Sequence, residues 1–200
     1  MKTFQYGRAE IKYLKSRDKK LGAAIDAIGI IKREIMPDLF TSLVKSIVYQ
    51  HISNKAARTV WGKLCEKLKE ISPDRIALLT IEDMRHCGLP LTKARSIKTI
   101  SDLLLRGELD FAKIRVMPDR EIIKILSSLP GIGIWTAEML LIFSLCRPDI
   151  VSWGDFAIRR GMMKLYGLNK LTREQFNRYR GRYSPFGSVA SLYLWALSTR

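Results

Sequence analysis

The sequence is short of acidic residues. Its 200 residues include 19 Asp and Glu against 35 Lys and Arg, which gives a formal net charge of +16 at pH 7. Such an excess repels itself across a compact body unless a polyanion is the usual partner. Nucleic acid is therefore the first candidate partner and an anionic membrane surface the second. The alternative is a basic soluble protein without a polyanionic partner.

Long apolar runs and paired cysteines are also missing. The strictly apolar runs are short, with five residues in the run 139–143, whereas a membrane span needs about 20. The lysines near the N-terminus precede no apolar stretch, which predicts no signal peptide. The three cysteines form no CxxC pair, which favours reduced structural thiols in a cytoplasmic protein over a disulfide framework or a zinc ribbon.

Strand-like alternation is nearly absent, and apolar residues recur at helical spacing instead. Helix starts are indicated at Pro37-Asp38, at Ser53, at Ser72-Pro73, and at Thr80 with Asp83. About eleven helices joined by short loops are predicted, which is an all-α fold. Because no Ser/Gly-rich linker divides residues 1–200, we expect one compact unit with two lobes.

The stretch Leu129-Pro-Gly-Ile-Gly-Ile-Trp-Thr-Ala137 is the most informative part of the chain. One helix ends at Leu129 and a second begins near Trp135, with a tight glycine turn between them. Gly131 and Gly133 remove side chains where something must approach the backbone closely, and the amides that start the second helix suit a phosphate. An ordinary helical hairpin turn is the alternative reading.

A lone carboxylate follows in the stretch Ile150-Val-Ser-Trp-Gly-Asp-Phe-Ala-Ile-Arg-Arg-Gly161. Asp155 comes after Gly154 at a predicted helix start, and Arg159 and Arg160 lie one turn later. Taken alone, an aspartate at this position is usually an N-cap.

In this combination and order, the two stretches are similar to the helix-hairpin-helix DNA glycosylases. The closer resemblance is to the bacterial 3-methyladenine DNA glycosylase II family and its fungal relatives, in a compact form without the N-terminal β domain. Segments 46–57, 87–94 and 183–190, the last leading to Leu194-Trp195, fit the family pattern in the right order. The resemblance covers roughly residues 35–197.

The resemblance implies a two-lobed helical bundle with the active cleft between the lobes. One lobe would span residues 37–145 and carry the hairpin 129–136. The other would combine residues 1–36 with 146–200 and carry Asp155 as the catalytic carboxylate. A carboxylate suits this role because cleavage of an N-glycosidic bond builds positive charge on the deoxyribose.

The resemblance also implies roles for three sets of residues. The base pocket would be lined by Trp135, Met139, Phe156 and Trp195. DNA would be contacted by Gln50, His51, Ser53, Gly131, Gly133, Thr136, Arg159 and Arg160, with His51 as the wedge that fills the place of the flipped nucleotide. A monovalent cation, Na or K, would be held by the backbone carbonyls of Ser127, Leu129 and Ile132.

Several departures from the family pattern shape the expected chemistry. Relatives with lyase activity place a catalytic lysine where this chain has Trp135, which implies a monofunctional enzyme that uses water as nucleophile. The C-terminal cysteine quartet of the endonuclease III branch is absent, so no iron–sulfur cluster is expected. Gly187 stands where relatives commonly carry Arg, and Met139 replaces an aromatic residue found in some of them.

The sequence thus predicts hydrolytic excision of alkylated bases of the 3-methyladenine type from double-stranded DNA. No cofactor beyond the hairpin cation is expected. We expect a monomer, located in the cytoplasm or on the nucleoid if the source is bacterial, with no membrane partner. Two alternatives stay open: a glycosylase for a neutral lesion such as hypoxanthine, an etheno adduct or an oxidised base, and a non-catalytic helix-hairpin-helix module that only binds DNA.

Overall fold

The computed structural model describes residues 2–199, and α-helices dominate it. The helices within this range are α1 (Arg8–Arg17), α2 (Lys19–Ile28), α3 (Leu39–Tyr49), α4 (Asn54–Leu68), α5 (Pro73–Ala77), α6 (Ile81–His86), α7 (Leu91–Leu105), α8 (Phe111–Ile114), α9 (Asp119–Ser127), α10 (Ile134–Phe143), α11 (Phe156–Tyr166), α12 (Arg173–Tyr183) and α13 (Gly187–Thr199). The β structure of the described residues is one isolated antiparallel bridge between Thr3 and Glu34. The predicted all-α fold is therefore confirmed.

Capping side chains explain where most of these helices begin. Ser53 accepts a hydrogen bond from the Ala56 amide at the start of α4, and Thr80 forms a capping box with Asp83 at the start of α6. The predicted starts at these positions are confirmed. The four-residue helix α8 was not predicted, because so short a segment shows no apolar periodicity.

The first compact unit of the chain comprises residues 36–140. It contains α3 to α9 and the first part of α10, whose remaining residues belong to the second unit. Its core is aliphatic and includes the fully buried side chains Leu43, Val44, Ile47, Leu64, Ile76, Met84, Ile97, Ile100, Ile122 and Leu126.

The second unit joins the residues up to 35 with those from 141 onward. In it α11 packs directly on α13, because Gly161 has no side chain: a Cβ there would lie 1.9 Å from the carbonyl oxygen of Leu194. Tyrosine and phenylalanine dominate its largest buried side chains, namely Tyr183, Tyr193 and Phe176. This packing fixes α11, the helix that begins directly after Asp155.

None of the helices described for residues 2–199 is both long enough and apolar enough to cross a bilayer.

Candidate active site

The predicted hairpin is present between α9 and α10, with six residues in the turn. Helix α9 ends at Ser127, two residues before the predicted end at Leu129, and α10 begins at Ile134, one residue before the predicted start near Trp135. Gly131 has a φ of +80°, and a Cβ on it would lie 3.1 Å from Oγ of Ser96, so the protein's own backbone requires glycine there. A Cβ on Gly133 would meet open space. No contact within the protein therefore requires glycine at position 133, and the missing side chain leaves room for a molecule outside the protein.

The start of α10 is suited to an anion. Gly133, which precedes the helix, offers no capping side chain, and the first amides of a helix have no acceptor within it. These amides and the helix dipole together favour a phosphate. Ile134 beside them is 62% exposed, so this end of the helix faces solvent. The side chain of Thr136 is buried, and the contact of this residue with DNA stays a prediction.

The carbonyls predicted to hold a monovalent cation lie in the same hairpin. Ser127 is the last residue of α9, where carbonyl groups have no intrahelical donor and the dipole is negative. The carbonyl of Leu129 accepts a hydrogen bond from the Ile132 amide at 3.1 Å. Neutral carbonyl oxygens are ligands that Na⁺ and K⁺ accept, so this donor set fits the predicted ion.

The loop of residues 50–53 between α3 and α4, named the His51 loop below, carries the predicted wedge. His51 is exposed and has a φ of +54°, a left-handed conformation that costs a non-glycine residue about 1–2 kcal/mol. The side-chain nitrogen of Gln50 donates to the carbonyl of Gly131 at 2.9 Å. Ser53 caps α4. Gln50 and Ser53, two of the three predicted DNA-contacting residues in this loop, thus make contacts inside the protein. The third, His51, has a strained backbone that sets the direction of its side chain.

Lys93 was not predicted as a site residue, although it contacts the same loop. Its Nζ donates to the carbonyls of Val48 at 2.9 Å and of Gln50 at 2.5 Å. A signal was present in the sequence, because Lys93 lies in the first turn of α7, where the positive end of the helix dipole disfavours a lysine.

Asp155 is the N-cap of α11 in the second unit. Its Oδ1 accepts a hydrogen bond from the amide of Ile158 at 2.9 Å, and the residue is 7% exposed. The capping interpretation of the sequence is therefore confirmed. It does not oppose a catalytic role, because this cap bond is made by Oδ1 and a carboxylate has two oxygens.

The four predicted pocket residues are not core residues. Phe156 is 66% exposed and Trp135 is 46% exposed, whereas Met139 and Trp195 are partly buried. Trp195 stacks on Phe143 with ring centroids 5.5 Å apart and lines a cavity of about 350 Å³ in the second unit together with Arg33. Large exposed aromatic side chains are typical of binding surfaces. Because Trp135 and Met139 belong to the first unit, a pocket shared by all four stays a prediction.

The two predicted arginines differ in their surroundings. Arg160 is exposed, while the guanidinium of Arg159 lies 5.1 Å from the ring centroid of Trp153. Arg173, which sequence reasoning did not single out, lies 5.0 Å from the same ring. Its spacing from the aspartate motif gave no signal, since α12 reaches Trp153 only through the tertiary fold. Two guanidinium groups thus lie close to the ring of Trp153, and positive charge is concentrated at this place in the second unit.

The glycine at position 187 has a packing reason. A Cβ on Gly187 would lie 2.6 Å from Oδ1 of Asp149 and 2.8 Å from Val151. The amide of Gly187 also donates to Oδ1 of Asp149 at 3.0 Å. An arginine would not fit here without displacing Asp149.

An all-helical fold with a glycine hairpin and a carboxylate at a helix start is the arrangement that the resemblance to the helix-hairpin-helix DNA glycosylases implies. The chain belongs to the HhH-GPD superfamily of base excision DNA repair proteins, whose family model matches residues 44–185. The predicted family membership is confirmed.

Relatives and solved structures agree with this assignment. DNA-3-methyladenine glycosylase 1 of Schizosaccharomyces pombe is 32% identical over 168 residues, covering 80% of this chain and 72% of the relative. A DNA-3-methyladenine glycosidase from Bacillus halodurans has a similar structure, with a TM-score of 0.90 at 31% identity, over 99% of this chain and 93% of that one. A Schizosaccharomyces pombe 3-methyladenine DNA glycosylase in complex with abasic DNA follows at a TM-score of 0.79 and 27% identity, over 96% of this chain and 98% of that one.

Proposed function

We propose that this chain hydrolytically excises alkylated bases of the 3-methyladenine type from double-stranded DNA and has no lyase activity. The chain is a DNA glycosylase of base excision repair, and it binds DNA. The names of its relatives support alkylated bases as the substrate class. The observation that carries the proposal is the carboxylate of Asp155, fixed at the start of α11 by its bond to the Ile158 amide.

The proposed reaction breaks the bond between C1′ of the deoxyribose and the base nitrogen. The bonding electron pair leaves with the base, and positive charge builds on the sugar. Asp155 stabilises that charge, and water then adds to C1′ and loses a proton. A base alkylated at a ring nitrogen is already cationic, so it leaves as a neutral molecule and needs no general acid.

Exposed aromatic side chains support recognition of a cationic base. The π-faces of Trp135 and Phe156 attract a positive charge, whereas an undamaged neutral base gains less from them. The base must first leave the duplex, which costs a few kcal/mol and less for a damaged base that pairs poorly. His51 is the proposed wedge that fills the vacated stack.

The residue at position 135 supports a reaction without a lyase step. A lyase needs an amine that forms a Schiff base with C1′, and tryptophan offers none. The hairpin is proposed to hold a DNA phosphate, with a monovalent cation at the carbonyls of Ser127, Leu129 and Ile132 adding positive charge beside it. In the same proposal the enzyme works as a monomer in the cytoplasm, on the nucleoid in a bacterium.

The direct test is excision from duplex DNA treated with a methylating agent, with the released bases identified by chromatography. We expect 3-methyladenine among the products. Release of hypoxanthine or an etheno adduct from matched oligonucleotides, without any methylated base, would favour a neutral-lesion glycosylase. Tight DNA binding with no base released would favour a binding module.

Borohydride treatment during the reaction separates the two classes of glycosylase. We expect no covalent adduct between protein and DNA, because hydrolysis passes through no Schiff base. A lysine-dependent glycosylase of known lyase activity serves as the positive control. A trapped adduct with this chain would overturn the monofunctional assignment.

A further inference from the structure

The side-chain ammonium group of Lys93 holds the backbone that leads into the His51 loop. Nζ of Lys93 donates to the carbonyls of Val48 and Gln50, at 2.9 and 2.5 Å, which are the carbonyls on either side of Tyr49. Val48 lies in the last turn of α3 and Gln50 is the C-cap of that helix, so their carbonyls have no donor within it. Lys93 thus fixes the backbone that leads directly into His51.

The ammonium group makes these contacts in partly buried surroundings. Lys93 is partly buried, and burial lowers its pKa. A cation at this place also faces the negative end of the α3 dipole, which favours it. The two carbonyl bonds and the helix dipole therefore offset part of the cost of burying the charge. The contact orients the backbone and takes part in no chemical step.

The residue that Lys93 positions needs such support. His51 has a φ of +54°, and a strained backbone persists only where its surroundings over-determine it. A second support comes from the side of the hairpin, because the side-chain nitrogen of Gln50 donates to the carbonyl of Gly131 at 2.9 Å. The loop is therefore held between α7 and the hairpin.

We propose that Lys93 is a positioning residue for base flipping, which presents His51 as the wedge by holding the two carbonyls that precede it. The inference rests on the proposed function, in which His51 enters the duplex. It adds a residue that touches neither the DNA base nor the sugar, and acts through His51 alone.

The chain supplies a matched control on the same helix. Nζ of Lys98 donates to the carbonyls of Ala77 and Leu79, each at 2.9 Å, at the end of α5. Lys98 is thus a partly buried lysine that holds helix-end carbonyls in the same way but does not contact the His51 loop. K98M removes the same chemistry as K93M, so the two variants differ in the segment they release.

The experiment measures single-turnover excision of one alkylated base from a duplex, with 2-aminopurine beside the lesion to report unstacking. We expect K93M to slow both excision and unstacking about tenfold, because small misplacements of a working group have large effects on rate. K98M should keep the wild-type rate per folded molecule. A K93M rate equal to that of K98M would overturn the proposal.

A double-mutant cycle tests whether Lys93 acts through His51. The double variant K93M/H51A should be no slower than H51A alone, because the wedge is already gone. Losses that multiply would overturn the proposal. Should K93M fail to fold, K93Q keeps a neutral NH2 donor group, and we expect a loss of about threefold that also vanishes in the H51A background. A K93Q rate equal to wild type would contradict the inference.

Amide hydrogen exchange separates this proposal from the proposed function. In the DNA-free protein, K93M should speed the exchange of residues 51–53 more than K98M does, because the His51 loop opens more often. Faster exchange in a protein that excises no alkylated base would leave the positioning by Lys93 supported and the proposed substrate wrong. Unchanged exchange in an active enzyme would overturn the positioning alone.

Discussion

Two buried aspartates in the second unit cap helices in the same way. Oδ1 of Asp18 accepts from the amide of Leu21 at 3.0 Å at the start of α2, and Oδ1 of Asp155 accepts from the amide of Ile158 at 2.9 Å. Asp18 is 4% exposed and Asp155 is 7% exposed. By cap geometry and by burial the two residues are equivalent.

Their further surroundings differ. Oδ2 of Asp18 accepts from the hydroxyl of Tyr166 at 2.6 Å and from Nη1 of Arg182 at 3.0 Å, which ties α2 to α11 and α12. Asp155 is followed directly by Phe156, which is 66% exposed. Donors from three helices enclose Asp18, whereas Asp155 directly precedes an exposed aromatic residue in the chain. A buried acidic cap therefore has no fixed role, and its neighbours decide between structure and chemistry.

The substitution D155N gives the largest expected effect. We expect excision to fall at least about 100-fold, because a neutral amide cannot stabilise positive charge on the sugar. The free energy of unfolding should stay within about 0.5 kcal/mol of wild type, since Asn caps helices as well as Asp does. Single-turnover excision and urea unfolding measure the two quantities, and DNA affinity should be nearly unchanged. Full turnover by D155N would end its catalytic assignment.

The sequence could predict the helices and the hairpin because their signals are local. Ser53 and Thr80 stand at helix starts whose caps involve only residues three positions away. The glycine pair around Ile132 likewise indicates a turn from its own residues. Such features depend on short-range sterics and hydrogen bonds, which a single sequence displays.

The contacts that the sequence did not predict are made between distant segments. Lys93 reaches carbonyls more than 40 positions earlier, and Tyr166 meets Asp18 across 148 positions. Gln50 was predicted to contact DNA, yet its side-chain nitrogen donates to Gly131. No spacing rule shows such partners, because tertiary packing brings them together only after the helices have formed.

The matched substitution D18N should have the opposite effects to D155N, with lower stability and an unchanged rate of excision. Asn keeps the cap but removes the charge that Tyr166 and Arg182 bind, so we expect the free energy of unfolding to fall by about 2 kcal/mol. Excision per folded molecule should equal wild type. Urea unfolding and single-turnover excision in parallel measure both. If D18N lost excision but kept the wild-type free energy of unfolding, the proposed difference between the two aspartates would be wrong.

The pH dependence of stability provides the control for D18N. Burial alone would raise the pKa of Asp18, but the hydrogen bonds from Tyr166, Leu21 and Arg182 outweigh it and lower that pKa. A lowered folded-state pKa contributes stability above the unfolded value, about pH 4, which is lost as the pH falls through the folded value. Below about pH 4 the wild type should therefore lose its advantage over D18N. An advantage that does not decrease as the pH falls below about 4 would contradict this account.

The substitution Y166F has the smallest expected effect, and it tests whether the surroundings of Asp18 influence Asp155. The Tyr166 hydroxyl contacts Oδ2 of Asp18 and, at 2.7 Å, the hydroxyl of the fully buried Tyr183. Phe keeps the ring that stacks on Tyr179 but removes both contacts, so we expect a loss of about 1 kcal/mol in urea unfolding. Tyr166 ends the helix that Asp155 begins, so an excision rate that falls with stability would mean that the enclosed network also sets the position of the catalytic carboxylate. An unchanged rate would leave the two aspartates independent, as their separate surroundings indicate.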